Sequence, residues 1–252
     1  MSKRKTSDFA ARPPGDFAAV LKADEPLFLV GGQAVNLWAL YYHERTVDLS
    51  PFVSRDVDVL GNRETVSMIA RIAGVKPHFF SMRPPTNEVG TIIARSTDGQ
   101  PLPVEVLSHL HGISNEDLHH PQYTVCIGDN GARVHVPGPI ALLQAKIANV
   151  ADLVQTGRQD KHHVRILARL MPAYLADVQA SVADGRINES DMLNLLEHLL
   201  AVVTPQKALK ILKGLEICGR AMFSEFKPTS SKLQAFMTKR LGRIIPAEGN
   251  KN

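Results

Sequence analysis

The spacing of hydrophobic and polar residues changes partway along the chain. Residues 27–137 contain short apolar stretches separated by glycine, proline and other turn-forming residues, a pattern typical of β-strands mixed with helices. From residue 138 onward the apolar positions recur at intervals of three and four residues, which predicts one helix after another. The pattern therefore predicts an α/β or α+β core that is followed by a helical region.

The first strand and helix are predicted on either side of a glycine pair. The apolar run at residues 27–30 predicts a buried strand, and helical spacing begins at residue 33, so Gly31 and Gly32 are expected in a strand-to-helix turn. Residues 55–61 alternate charged and apolar side chains, which predicts a half-buried strand. Further strands are predicted at residues 76–82, 89–96, 102–108 and 132–138.

The second half is predicted to begin with a helix that starts at Pro139 and ends at Gly157. A second helix follows and is expected to bend or break at Pro172. The predicted organisation of the chain is a flexible tail at 1–20, a core at 21–137, a helical region at 138–240 and a second flexible tail at 241–252.

Composition and charge narrow the possible functions only slightly. The chain has 252 residues, a net charge of +4 and two cysteines, so a disulfide framework and a cysteine zinc site are not expected. It shows neither a signal peptide nor an apolar run that could cross a membrane, and we predict a cytoplasmic protein without a membrane partner. Outside the basic ends the chain is near neutral, so an extensive nucleic-acid-binding face is not expected.

Two aspartates supply the main candidate chemistry. Asp56 and Asp58 are two residues apart, so on a strand their carboxylates point to the same face and repel each other. A divalent cation relieves that repulsion, while the alternative is an exposed strand edge kept polar by its aspartates. Gly31 and Gly32 suit close approach of a phosphate to a helix N-terminus, or else simply form a tight turn.

The segments LVGGQAVNLWA (29–39) and SRDVDVLG (54–61) together resemble the nucleotidyltransferase superfamily of polymerase-beta type. The closest subgroup is the minimal, abortive-infection type found in toxin–antitoxin systems. This resemblance implies a mixed β-sheet flanked by helices and a helical C-terminal region. It also implies that the glycine pair and Ser54 bind the nucleotide, and that Asp56 and Asp58 ligate metal ions with a third carboxylate from a later strand.

Glu105 is the candidate for that third carboxylate, although the family more often has aspartate there. The resemblance extends to the first helix of the second half, where Lys146 matches a family lysine and is expected to contact the nucleotide, with a solvent-facing lysine as the alternative. Arg158, Asp160 and Lys161 match a charged cluster, and His163 stands near a position where the family often has aspartate.

The resemblance implies an enzyme that transfers an NMP from an NTP to an acceptor hydroxyl with two Mg²⁺ ions, Mn²⁺ being the alternative metal. The acceptor is expected to be a tRNA, a protein or a small molecule, and an antitoxin is a further expected partner. The alternative is a nucleotide-binding, regulatory or interaction protein of the same fold that has lost catalysis. The glutamate at position 105 and the histidine at position 163 motivate this second hypothesis.

Overall fold

The architecture was obtained from a computed structural model, which describes residues 12–47, 49, 54–81, 86–96, 98–129, 131–228 and 230–245. The strands, in chain order, are β1 (Leu27–Val30), β2 (Val57–Leu60), β3 (His78–Phe79), β4 (Glu88–Arg95), β5 (Pro101–Leu107), β6 (Gln122–Ile127) and β7 (Ala132–Pro137). They form a seven-stranded sheet in the order β3-β4-β5-β2-β1-β7-β6. Because β1 is antiparallel to β2 but parallel to β7, and β2 is parallel to β5, the sheet is mixed.

The α-helices occur both between the strands and throughout the second half. They are α1 (Gly31–Tyr42), α2 (Arg63–Ala73), α3 (Asn115–His119), α4 (Pro139–Asp152), α5 (Asp160–Ala183), α6 (Glu189–Val203), α7 (Gln206–Gly214), α8 (Ser231–Ala235) and α9 (Gly242–Ile244). Short 3₁₀ turns lie at Pro14–Phe17 and Gly219–Phe223, and Phe236–Leu241 is a π-helical segment. The prediction of an α+β protein with a mixed sheet, flanking helices and a helical C-terminal region is confirmed.

The described chain divides into two compact units, one containing residues 12–41 and 54–145, the other residues 42–49 and 146–245, with the gaps given above. The division falls within α4. The boundary predicted at residues 137 and 138 lies just before that helix, and it stays a prediction.

The core of the first unit lies against the central strand. All four residues of β1 are buried, and Phe28 and Val30 pack with Ala141 and Ala145 from the beginning of α4. Farther along the sheet, α2 packs on β4, where Gly90 leaves room for the side chain of Val66. Burial of apolar side chains on this scale stabilises the sheet by about 1.5–3 kcal/mol for each large residue.

The second unit is built around α5, whose buried side packs against α6 and the turn at Gly219–Phe223. Residues 42–47 also belong to it, because Asp177 accepts hydrogen bonds from Tyr42 Oη at 3.1 Å and from Arg45 Nη1 at 2.7 Å. Residues 48 and 50–53, which follow this segment, lie outside the described residues. Among the helices that the structure describes, none is long and apolar enough to cross a membrane.

Several element boundaries differ from the sequence-based predictions. Helix α4 ends at Asp152 and not at Gly157, and α5 continues through Pro172. Burial of successive apolar residues on both sides of the proline outweighs the hydrogen bond that it removes. Strand β6 was not predicted; it lies at the sheet edge, where three of its six residues are exposed and one is buried.

The structure describes part of each segment that was predicted as a tail. In the N-terminal segment 1–20, Phe17 is fully buried and the backbone N–H of Arg12 donates to the Ser54 carbonyl at 2.7 Å. In the C-terminal segment 241–252, Leu241 is fully buried. The flexibility predicted for both segments relied on the polar, basic composition of the chain ends, and it stays a prediction.

Candidate functional site

The carboxylate of Asp58 lies against the junction between β1 and α1. Helix α1 begins at Gly31 itself, so the glycine pair forms the first residues of the helix, with no separate turn before it. Gly31 has a φ angle of +68°, and a Cβ atom placed on it would lie 1.7 Å from Asp58 Oδ2 and 2.8 Å from Asp58 Cβ. Glycine is therefore required here both for its backbone conformation and for the space that the carboxylate occupies.

Asp58 and Glu105 are neighbours in the sheet. The antiparallel register pairs Val30 with Asp58, and the parallel register of β2 and β5 pairs Asp58 with Glu105. Directly paired residues of adjacent strands point to the same face, about 5 Å apart. The residues on either side of them in both strands are fully buried on the opposite face, namely Val57, Val59, Val104 and Val106. The alternation of the sequence thus places both half-buried carboxylates on one side of the sheet.

Asp56 lies just before β2 and is not part of the strand. Pairing with β1 and β5 begins only at Val57 and Asp58, so the structure does not include Asp56 in the strand, and the shared face of Asp56 and Asp58 stays a prediction. Asp56 is instead oriented by Ser54, whose hydroxyl donates to Asp56 Oδ1 at 3.1 Å. Ser54 is buried, so in this structure its hydroxyl group orients the Asp56 carboxylate.

A buried glutamine that the sequence analysis did not single out connects these segments. Gln33 Nε2 donates to the Arg12 carbonyl at 2.9 Å and to the Ser54 carbonyl at 3.4 Å. The side chain is fully buried, and Asn36 Nδ2 lies 3.5 Å from its Oε1. Gln33 thus holds the segment that precedes Asp56 against the first turn of α1. The sequence signal was a glutamine next to the glycine pair, followed three residues later by Asn36, on a mostly apolar helix.

The three carboxylates are candidate ligands for a divalent cation. Their oxygen donors suit Mg²⁺ or Mn²⁺, and the Asp58–Glu105 register puts two of them side by side. Among the described residues, however, no three His, Cys, Asp or Glu side chains are gathered in a group that could hold a metal ion. The carboxylate oxygens and the side-by-side positions of Asp58 and Glu105 therefore suit a divalent cation. The side chains of Asp56, Asp58 and Glu105 do not, however, converge on a common point in this structure.

Lys146 lies in the second unit, where it is almost completely buried. Its Nζ donates to Asp160 Oδ1 at 3.1 Å, and Asn149 Nδ2 donates to the same oxygen at 3.2 Å. Arg158 Nε donates to Asp160 Oδ2 at 2.6 Å. The structure thus places Lys146 in a compensated ion pair, and contact with a nucleotide stays a prediction for it.

The electrostatics of this buried cluster favour a charged Asp160 and a neutral histidine. Burial alone would raise the pKa of Asp160, but the nearby His163, whose Nδ1 lies 4.0 Å from Asp160 Oδ1, and the charges of Lys146 and Arg158 outweigh burial and hold that pKa well below its ordinary value. Burial lowers the pKa of His163 to about 4, and neighbouring Asp160 offsets only part of the effect. His163 is therefore neutral near pH 7, at the position where the resembling family often has an aspartate.

The comparisons with known proteins add little to this geometry. No protein-family model matches the chain, and no curated protein matches it. Among solved structures, the chain is similar to that of an antigenic nucleotidyltransferase-like protein from Paracoccidioides brasiliensis. The TM-score is 0.41 with 14% sequence identity, over 84% of this chain and 99% of the other. A likeness this distant assigns no function, so the functional argument rests on the residues of the site.

Proposed function

We propose that the protein is a divalent-metal-dependent nucleotidyltransferase whose site lies at the junction of β1, α1, β2 and β5. The observation that carries this proposal is the position of Asp58, which sits against Gly31 at the beginning of α1 and beside Glu105 on the neighbouring strand. Asp56, held by the Ser54 hydroxyl, lies two residues before it. Asp58 therefore lies against the N-terminus of a 12-residue helix, and Glu105 is its neighbour in the sheet.

This combination has an electrostatic consequence. The N-terminus of α1 favours an anion, because backbone N–H groups and the helix dipole point toward it. The Asp58 carboxylate lies against the same helix start, so a nucleotide phosphate bound there would meet a like charge. A cation between phosphate and carboxylate removes this conflict, and hard divalent ions bind both kinds of oxygen. The arrangement therefore favours a metal–nucleotide complex over a free anion.

In the proposed reaction, the hydroxyl oxygen of the acceptor attacks the α-phosphorus of the NTP and loses its proton to solvent. A new O–P bond forms, the bond from the α-phosphorus to the bridging oxygen breaks, and pyrophosphate leaves. Asp56, Asp58 and Glu105 would hold the divalent cations, which supply positive charge to the phosphate oxygens when they are bound. The amides at Gly31 and Gly32 would bind phosphate, and Ser54 and Gln33 keep the Asp56 segment in place.

The test is label transfer by the full chain. Purified protein would be incubated with each α-labelled NTP, Mg²⁺ or EDTA, and three separate acceptor pools: RNA, protein and small molecules. The variants are Asp58→Asn and Glu105→Gln, and the matched control is Asp24→Asn, an exposed aspartate of the same unit. We expect Mg²⁺-dependent transfer into one pool, a loss of at least about 100-fold in both site variants, typical for removal of a key electrostatic group, and full activity in the control.

Direct binding separates the enzyme from the alternative of an inactive nucleotide-binding module. Calorimetry with a non-hydrolysable NTP analogue, in Mg²⁺ and in EDTA, measures affinity without turnover. Mg²⁺-dependent binding that is weakened by Asp58→Asn, without pyrophosphate release in any acceptor pool, would favour the inactive module. Equal binding by wild type and both site variants would refute the site. The pool that takes up label would identify the acceptor as a tRNA, a protein or a small molecule, and a co-purified protein would identify any antitoxin-like partner.

A further inference from the structure

A row of paired residues crosses the sheet at the candidate site. Val30 pairs with Asp58, and Asp58 pairs with Glu105. Glu105 pairs in turn with Thr91 of β4. Directly paired residues of neighbouring strands lie on the same face, about 5 Å apart. The row therefore extends beyond the two carboxylates by one strand, to Thr91, on the side of Glu105 that is farther from β1 and α1.

The burial pattern of β4 shows that Thr91 lies on the same face as the two carboxylates. Its neighbour Ile92 is fully buried on the other face, where Gly90 leaves room for Val66 of α2. Side chains alternate between the two faces along a strand, so Thr91 lies opposite to Ile92. Thr91 is half-buried, as both carboxylates are. Part of its side chain is therefore open to solvent.

The hydroxyl group of Thr91 has a defined hydrogen-bonding role. Its Oγ1 donates to the Val104 carbonyl oxygen at 3.2 Å. A threonine hydroxyl carries one hydrogen and two acceptor lone pairs, and the carbonyl takes the hydrogen. While this bond is made, Thr91 Oγ1 can only accept from a further group. It therefore suits an O–H or N–H group of a ligand, and it does not suit the oxygens of an ionised phosphate or carboxylate, which only accept.

The geometry of the proposed reaction places one substrate at each end of this row. In-line displacement puts the attacking hydroxyl and the leaving pyrophosphate on opposite sides of the α-phosphorus. The proposed phosphate site is the N-terminus of α1, at the β1 end of the row. Three strand spacings of about 4.8 Å separate β1 from β4, or about 14 Å in total. The attacking hydroxyl therefore belongs on the other side of the carboxylates, at the Thr91 end.

We propose that Thr91 binds the acceptor substrate, whose reacting hydroxyl donates a hydrogen bond to Thr91 Oγ1. This assignment rests on the proposed nucleotidyltransferase function. The hydrogen bond directs the proton of that hydroxyl toward β4, so that a lone pair of its oxygen faces the α-phosphorus. Thr91 does not take the proton, which leaves to solvent as the new O–P bond forms. Thr91 thereby favours an acceptor that ends in a hydroxyl group over one that ends in an ionised phosphate or carboxylate.

The test is label transfer by the full chain, with each substrate titrated separately. The acceptor is the pool that the wild type labels (RNA, protein or small molecules), titrated at saturating NTP and Mg²⁺; the NTP is then titrated at saturating pool. The deciding variant is Thr91→Val, which keeps the branched shape and removes the hydroxyl, and Thr91→Ser restores the hydroxyl. The matched control is Thr86→Val, because Thr86 Oγ1 also donates to a backbone carbonyl, that of Glu88, at 3.2 Å and outside the row.

We expect Thr91→Val to raise the half-saturating concentration of the acceptor pool about tenfold, as for a donor left without its acceptor. The half-saturating concentration of the NTP should stay unchanged, and so should the calorimetric affinity for a non-hydrolysable NTP analogue in Mg²⁺. Thr91→Ser should recover most of the wild-type value, and Thr86→Val should match the wild type. A role of Thr91 in the fold alone would lower stability in urea without this selective effect on the acceptor.

Two kinds of failure are distinguishable. If the wild type transfers label and Thr91→Val keeps the wild-type half-saturating concentration of the pool, or weakens both substrates equally, the assignment of Thr91 is overturned and the proposed function stands. If the wild type transfers no label into any pool, the proposed function is refuted and this assignment with it. Should Thr91→Val unfold at lower urea than the wild type, Thr91→Ala is measured in the same titrations and decides by the same criteria.

Discussion

Replacing Gly31 by alanine tests the central contact of the candidate site. The new Cβ would lie 1.7 Å from Asp58 Oδ2, 2.6 Å from Asp58 Cγ and 2.8 Å from Asp58 Cβ. The whole Asp58 side chain would therefore have to move, because contacts below 3.0 Å are not tolerated. The substitution also forces alanine into a left-handed conformation, since the φ angle of Gly31 is +68°.

Gly74 provides a matched control in the same unit. It has a φ angle of +65° at the C-terminus of α2, and a Cβ placed on it would meet no atom within 4 Å. Gly74→Ala therefore carries only the backbone penalty, about 1–2 kcal/mol. Gly31→Ala carries the same penalty together with the displacement of Asp58, for which overpacking adds about 1–3 kcal/mol. We expect Gly31→Ala to be the more destabilising change by that second amount.

The assay is urea unfolding followed by the fluorescence of Trp38. This is the one tryptophan of the chain, it is buried in the first unit, and its Nε1 donates to the Pro137 carbonyl at 2.9 Å. The signal therefore reports on the unit that contains both glycines. Nucleotide affinity in Mg²⁺ should fall at least tenfold in Gly31→Ala and stay unchanged in Gly74→Ala. Equal stability losses in the two variants would refute the contact between Gly31 and Asp58.

Three further changes test the supporting interactions. Gln33→Met removes the donor to the Ser54 carbonyl and should cost about 1–3 kcal/mol in the same fluorescence assay, and an unchanged stability would show that the contact is dispensable. Asp160→Asn leaves Lys146 buried without its counter-charge and should cost about 3–5 kcal/mol in thermal unfolding; combining it with Lys146→Met should restore most of the loss, and simple additivity would contradict the ion pair. The pKa of His163 falls from 6.5 in the unfolded chain to about 4 in the folded state. Because the unfolded chain binds a proton first as the pH falls, about 3 kcal/mol of the free energy of unfolding is fully present above pH 6.5 and is lost as the pH falls toward 4. His163→Gln should flatten that part of the stability–pH curve, and an identical curve would refute a buried neutral histidine.

Local sequence patterns predicted the strands and the buried residues that depend mainly on neighbouring positions in the chain. The alternation at residues 57–59 and 104–106 predicted the buried valines, and with them the side of the sheet that Asp58 and Glu105 occupy. The apolar run before Gly31 predicted β1, because a short stretch that is buried on both faces can be recognised from its own residues. The mixed sheet and the helical second half followed from the family resemblance and the change in spacing.

Tertiary structure decided everything that depends on pairing between distant segments. Only the register of β2 with β5 brings Glu105 beside Asp58, and only the pairing of β1 with β2 seats that carboxylate over Gly31. The burial of Gln33 and of Lys146 could not be predicted from the sequence either. A polar side chain is buried only where another residue, often distant in the sequence, provides a hydrogen-bond partner. The sequence by itself thus predicted the candidate carboxylates and the strand alternation around Asp58 and Glu105, whereas long-range register and burial decided which of them meet.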